Sequence, residues 1–214
     1  MIPGDPARMI VGQRASQEVY EQVREQLGLN DPLHIQYFNY VKGLLHGDLG
    51  TSIRTKQPVL SDLLTYFPAT LELVIFAFLF AIFFGIIIGV LTAVYKNTFI
   101  DYIGRIFSIS GVSIPAFLSG LIVILIFYKH LGWFPSSGRM DLMMARPLTI
   151  TGFYTIDSLL VGDFTAFQNA LKHLFLPSLV LSYVQLSAIT RQVRSSMIQV
   201  LNEDYIRTAK ANGI

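Results

Sequence analysis

The chain has 214 residues, of which 52% are hydrophobic and only 14% charged, against about 25% charged in a typical globular domain. Its mean hydropathy is +0.52, and so short a chain cannot cover that much apolar surface with so few charges, which makes lipid the expected solvent. The 16 basic residues against 14 acidic give no nucleic-acid footprint, and the lack of cysteine excludes disulfide scaffolds, Cys-ligated zinc, iron–sulfur clusters and thiol catalysis.

In chain order, residues 1–66 are mixed in character and predict amphipathic helices outside the membrane. Ser16 can cap a helix with Glu18 in its first turn, and Val19, Tyr20, Val23 and Leu27 share one face before Gly28 stops it. Asn30-Asp31-Pro32 reads as a turn, after which Leu33, Tyr37, Val41 and Leu44 line a second amphipathic segment. The membrane part is expected over 67–214. Three runs there hold no ionisable residue: Leu73–Tyr95, Ile106–Tyr128 and Leu174–Thr190. At 1.5 Å per residue the first two reach about 34 Å and the third about 25 Å, against a hydrocarbon core of about 30 Å. Three spans follow, over about 73–95, 106–128 and 174–190, the last needing flanking residues or an upright pose. The stretch 129–172, with Trp133, Phe134, Phe153, Tyr154, Phe164 and Phe167, is expected to be an irregular interfacial loop.

Lys/Arg density sets an expected orientation. Segments 96–105 and 191–214 carry six basic residues in 34 positions, whereas 1–72 with 129–173 carry ten in 117. The denser side is cytoplasmic by the positive-inside rule, so 1–66 and 129–172 lie outside. An exported segment needs a signal, yet Met1-Ile2-Pro3-Gly4-Asp5 has no apolar core. The sequence therefore reads as a fragment of a larger membrane protein with a preceding span missing, and whether Met1 is the true start stays open.

The tail carries the clearest local signals. Asn202 can cap a helix, Glu203 and Asp204 suit its first turn, Tyr205, Ile206 and Ala209 share a face, Arg207 and Lys210 lie elsewhere, and Asn212-Gly213 supplies a left-handed stop. Such a helix beside a span reads either as lying on anionic lipid or as docking into a groove on a cytoplasmic partner.

Arg191-Gln-Val-Arg194-Ser-Ser-Met197 followed by Asp204-Tyr-Ile-Arg-Thr-Ala-Lys-Ala-Asn-Gly213 closely resembles the permease subunits of ABC importers for di- and oligopeptides and nickel. The importers' E-A-A-x-x-x-G coupling pattern corresponds here to Arg207-Thr208-Ala209-x-x-x-Gly213, without the Glu. Pro3-Gly4-Asp5-Pro6, Gly47-Asp-Leu-Gly50, Pro68-Ala-Thr-Leu-Glu72, Ser113-Ile-Pro115 and Leu131-Gly-Trp-Phe-Pro135 follow in family order. The resemblance implies an all-α membrane protein, a multi-span bundle of the type I ABC importer permease kind with three of six spans present. It implies three kinds of partner besides membrane lipid, none of them nucleic acid: a second homologous permease, cytoplasmic ABC ATPase subunits, and an extracytoplasmic solute-binding protein. It also implies that Asp204, Tyr205, Ile206, Arg207, Thr208, Ala209 and Gly213 form the ATPase-coupling helix.

Within the runs, Gly85-Ile-Ile-Ile-Gly89 is a small-xxx-small face that lets helices approach closely, the expected role being packing. The second run is interrupted by Ser108, Ser110, Gly111, Ser113, Pro115, Ser119 and Gly120. Pro115 removes a backbone hydrogen bond, so this helix is either kinked and buried in protein or lines a wet path with Ser110, Ser113, Pro115 and Ser119. Glu72 is expected as an inexpensive carboxylate at the membrane edge. No phosphate loop G-x-x-x-x-G-K-[ST] occurs, so active transport by this chain would take its energy from another polypeptide, and the resemblance implies a transport subunit that is not itself an enzyme. No cofactor or metal site is expected: His34, His46, His130 and His173 lack ligand spacing and read as solvated or interfacial. The function expected is inward movement of di- or oligopeptides, with glutathione or nickel as alternatives within the same architecture. A passive channel or scaffold with a lipid-binding tail is the alternative of a different class.

Overall fold

The computed structural model describes residues 5–12 and 14–213, Lys210 by its backbone alone. Met1, Pro3 and Gly4, part of the first family segment, lie outside the described residues, as does the side chain of Lys210. The chain divides into two compact units, 1–67 and 68–214. Every regular element among the described residues is helical, apart from an isolated bridge between Thr51 and Pro58.

In the first unit, helix α1 (Pro6–Val11) starts where Asp5 accepts from the Ala7 amide at 3.0 Å, and α2 (Gln17–Gln26) where Ser16 accepts from Val19 at 3.4 Å. The buried Tyr20 ties the two together: its hydroxyl donates to Asp5 and accepts from Arg24, while Arg8 lies over its ring at 4.1 Å. The Tyr20 hydroxyl, followed by smaller contributions from the Ala7 amide and from Arg24 and Arg8, holds the Asp5 carboxyl below the usual carboxylate value against a desolvation cost. Gly28 adopts φ +63° and ends α2, and α3 (Leu33–Leu45) follows Pro32. No described side chain of α3 is buried, and Leu33, Tyr37, Phe38, Tyr40 and Leu45 are well exposed.

The second unit is built around α4 (Val59–Val94, entering at Pro68), α5 (Phe99–Ser113), α6 (Ala116–Ile124), α7 (Tyr154–Val161), α8 (Phe164–Leu201) and α9 (Asp204–Ala211), with a π-helical turn Leu125–His130 continuing α6. Most of the buried residues on its two long helices are small: Ala77, Ala81, Gly85, Gly89 and Ala93 on α4, Ala170, Ser178, Ser182 and Ser187 on α8. Most large apolar side chains, among them Phe78, Phe83, Ile106 and Phe117, face outward. A soluble protein would invert this arrangement. Where lipid is the solvent, Phe and Leu gain nothing by moving inward, and small residues let backbones touch.

Contacts set the helix directions. A Cβ on Gly85 would lie 2.8 Å from Ile189 Cγ2, and one on Gly89 2.7 Å from Val193 Cβ, so α4 and α8 run parallel at close approach. Gly111 faces Ser187 and Gly104 faces Thr92, so α5 runs antiparallel to both. Among the described residues α4 and α8 are long and apolar enough to cross a membrane, and the α5–α6 pair supplies a third crossing if taken as one span. The 38 residues of α8 extend the short third run at both ends, as its length required.

Three expectations need correction. The run Ile106–Tyr128 is not one helix: α5 ends at Ser113 and the chain turns by 111° into α6. Ile114 lies between them in extended conformation (φ −90°, ψ 123°) ahead of Pro115. The ring of a proline pushes the preceding residue out of the α region, and a β-branched side chain there adds to the cost. Pro68 and Pro177 stay inside continuous helices, preceded by Phe67 and Leu176, which are not β-branched. Second, 129–172 is not wholly irregular, because α7 and the start of α8 lie within it. Gly162 at φ +77° stops α7, and Asp163 caps α8 by accepting from Ala166 at 2.9 Å. Third, Asn202 closes α8, its Nδ2 donating to the Ile198 carbonyl at 2.8 Å, and α9 begins at Asp204 instead.

Candidate functional site

Three places in the second unit gather polar chemistry, one at each end of the helix stack and one between. At the first end Glu72 on α4, expected as an inexpensive carboxylate at the membrane edge, is only 3% exposed and is held by protein donors. Its Oε2 accepts from Arg139 at 2.7 Å, and its Oε1 accepts from the Thr155 amide at 2.8 Å and hydroxyl at 2.7 Å. Phe153, at the N-cap of α7, has no acceptor to offer, so Glu72 satisfies an orphan amide of α7 from another helix. Arg139 also donates to the Gly152 carbonyl at 2.8 Å and lies 3.7 Å over the Tyr154 ring.

Asp157 completes this end. Its buried carboxylate accepts from the amides of Ile150, Thr151 and Gly152 and from the Thr151 hydroxyl, at 2.7–3.2 Å. Burial pushes its pKa up, but these donors outweigh burial and hold it below the ordinary 3.8. His173, expected to be solvated or interfacial, is buried: its Nδ1 lies 2.9 Å from the Asn169 carbonyl and its Nε2 3.5 Å from Asp141. Glu72, Arg139, Tyr154 and His173 border a cavity of about 220 Å³. No three metal-ligating side chains converge among the described residues.

Between the ends, a cavity of about 460 Å³ lies among Phe80, Phe107, Ile114, Ser119, Tyr183 and neighbouring apolar side chains. Of the four residues expected along a path, Ser119 lines it, and Ser110 bonds at 2.6 Å to the hydroxyl of Tyr183, which also lines it. Ser113, bonded to the Ile109 carbonyl, and Pro115 sit exposed at the break between α5 and α6 and do not line the cavity. Gly85 and Gly89 are at the α4–α8 contact described above.

At the opposite end Asp101, the third residue of α5, is fully buried. Arg194 on α8 grips it with Nε to Oδ1 at 2.8 Å and Nη2 to Oδ2 at 3.0 Å, and the Asn97 amide donates at 3.0 Å. Arg105 adds an ion pair at 3.5 Å, and Arg191 donates to the Ser108 carbonyl at 3.0 Å. From Arg194, α8 continues without a break to Leu201. Within α9, Asp204, Tyr205, Arg207 and Thr208 are exposed and Ile206 and Ala209 half-buried, while Thr208 donates to the Asp204 carbonyl. Beyond α9, Gly213 has φ +79°.

Residues 81–214 match the family described as "Binding-protein-dependent transport system inner membrane component", and residues 1–74 match its N-terminal companion family. The chain belongs to this family. It is 52% identical, over all of its 214 residues, to a probable D,D-dipeptide transport system permease protein of Escherichia coli (strain K12), of which it covers 63%. It is 43% identical over 216 aligned positions to a di/tripeptide transport system permease protein of Pseudomonas aeruginosa (strain UCBPP-PA14), covering the whole chain and 64% of the relative. It is 36% identical to a glutathione transport system permease protein of Salmonella choleraesuis (strain SC-B67), again over the whole chain and 60% of the relative. The chain thus spans somewhat under two thirds of these relatives.

As an inner-membrane component, this family member carries its ionisable residues just outside the uncharged runs. Sequence reasoning counted Arg191 and Arg194 as basic charge and overlooked Asp101 as the partner of Arg194. The available signal was that Glu72, Arg105 and Arg191 each abut a run and Asp101 lies one helical turn before Arg105, where an unpaired charge is costly and a partner is to be sought.

Proposed function

We propose that the chain is the permease subunit of an ATP-binding-cassette importer that carries di- or oligopeptides across the inner membrane. The peptide permeases among its relatives support the substrate class, and the glutathione permease marks the neighbouring alternative. Residues 1–66 and 129–172 face outward, toward a solute-binding protein that selects the substrate. Segments 96–105 and 191–214 face the cytoplasm. A second homologous permease completes the pore, and two ATPase subunits on other chains hydrolyse ATP.

The observation that carries this reading is α9, a short helix set directly after the long α8 and closed by a glycine in left-handed conformation. Tyr205 and Ile206 are its anchors in an ATPase groove, Asp204 suits its N-terminal dipole, and Arg207 stays at the rim. Displacement of α9 between nucleotide states passes along the unbroken α8 to Arg194 and, through Asp101, to α5. The α5–α6 break at Ser113 and Pro115 then lets one half of that span move against the other, with Ser110 and Ser119 beside the path. ATP coupling of this kind requires that each nucleotide state favour a different docking geometry.

The test is uptake of a labelled dipeptide into proteoliposomes holding the full-length protein with its partner permease, ATPases and binding protein. Uptake that requires ATP and the binding protein is expected. Equilibration of the dipeptide without ATP would instead establish a passive channel.

A further inference from the structure

At the Asp101 end, Arg105, Arg191 and Arg194 border a cavity of about 280 Å³ whose remaining wall is Thr92, Gly104, Ser108, Ile109 and Thr190. We infer that this cavity is a binding site for the phosphate headgroup of an anionic phospholipid. Of the three guanidiniums two pair with a carboxylate, Asp101, and Arg194 takes both of its oxygens. Arg105 holds only a 3.5 Å ion pair to it, and Arg191 spends one N–H on the Ser108 carbonyl. Each guanidinium carries five N–H donors in a fork that matches phosphate oxygens. The hydroxyls of the wall make no competing claim: Thr92 bonds to the Ile88 and Gly89 carbonyls, Ser108 to Gly104 and Thr190 to Gly85.

The surroundings favour a lipid over a free anion. The site lies where the uncharged length of α5 gives way to charged residues, the depth at which headgroups lie. Ile109 in its wall and Ile106 beside it are 61% and 68% exposed, an outward apolar track along α5 for an acyl chain. Tyr102, under the Arg105 guanidinium at 4.7 Å, belongs at the same interfacial level. Basic pockets between membrane helices bind such headgroups, each nearby cation adding to the attraction.

Native mass spectrometry of the full-length protein, equilibrated with equal amounts of phosphatidylglycerol and phosphatidylcholine in mild detergent, tests this. Wild type is expected to retain phosphatidylglycerol in preference by about tenfold. Arg105→Gln with Arg191→Gln should bring the two lipids to parity, whereas Lys at both positions keeps most of the preference. Equal retention by the wild type, a measurement that needs no variant to fold, would overturn the site. So would an undiminished preference in the Gln pair. Release of the bound lipid by millimolar inorganic phosphate would assign the site to free anions and defeat the lipid reading.

Discussion

Arg194 on α8 and Asp101 on α5 meet through two hydrogen bonds of 2.8 and 3.0 Å, with the carboxylate wholly buried. Planar guanidinium and planar carboxylate fix both distance and angle, so the pair works as a rivet between antiparallel helices. A buried charge is tolerable only while its partner stays. Arg194→Ala therefore lowers unfolding stability by about 3–5 kcal/mol, read from thermal unfolding in detergent. The Asp101→Ala, Arg194→Ala double variant loses less than the two singles combined, because neither charge is then stranded. Additive losses would show that the two side chains do not depend on each other.

The α4–α8 contact leaves no room for a methyl group at Gly89, where a Cβ would lie 2.7 Å from Val193. Gly89→Ala is expected to cost about 1–3 kcal/mol by overpacking. Gly120 is the control, since a Cβ there meets only Val180 Cγ1 at 3.8 Å. Gly120→Ala should be neutral or slightly stabilising, alanine being the better helix former. The same detergent melts compare the two.

The break in the second span rests on the Ile114–Pro115 pair. Replacing both with Ala removes the steric push that ends α5 and lets the two halves align. Spin labels at the exposed Ile103 and Leu121 report it. Their separation should lengthen in the double variant toward about 27 Å, the rise of an uninterrupted helix between those positions. An unchanged distance would mean that surrounding packing, not the proline, sets the bend.

Asp157 gives the stack an acid-sensitive joint. Its folded pKa lies below the ordinary 3.8, since its donors outweigh burial. A depressed carboxylate contributes stability in full above the unfolded value, and loses it as pH falls through about 4 toward the folded pKa. Wild type should therefore lose melting temperature below pH 4. Asp157→Asn should be less stable at neutral pH, by about 2–3 kcal/mol, with a flatter acid limb. Parallel curves would remove Asp157 from the account.

Much of this was legible in the residues. The charge-free runs overlap α4, the broken α5–α6 pair and α8, Gly85 and Gly89 fall at the α4–α8 contact, and Ser16 caps α2. What escaped was long-range pairing. Nothing near Glu72 in the sequence points to Arg139 or Thr155, and nothing near Asp101 points to Arg194, 93 positions away. Local rules misjudged two boundaries for a related reason. Asn202 is a good cap at either end of a helix, and it closes α8 because α8's apolar face extends to Leu201. At Ser113-Ile-Pro115 attention to the lost amide suggested a kink, while the restriction on the residue before proline turns the chain by 111°. His173 looked solvated or interfacial for want of any partner at ligand spacing, and only the fold brings Asp141 beside it.

The central claim is that α9 docks a motor, and Gly213 tests it most directly. At φ +79° a β-branched residue is strained, by an amount that corresponds to about tenfold in an equilibrium. Peptide uptake and binding-protein-stimulated ATP hydrolysis should be measured together in proteoliposomes holding the assembled transporter with Gly213→Val. The account predicts normal membrane insertion with uptake reduced about tenfold and ATP hydrolysis no longer tied to it. Uptake and stimulated hydrolysis both at wild-type levels would contradict it.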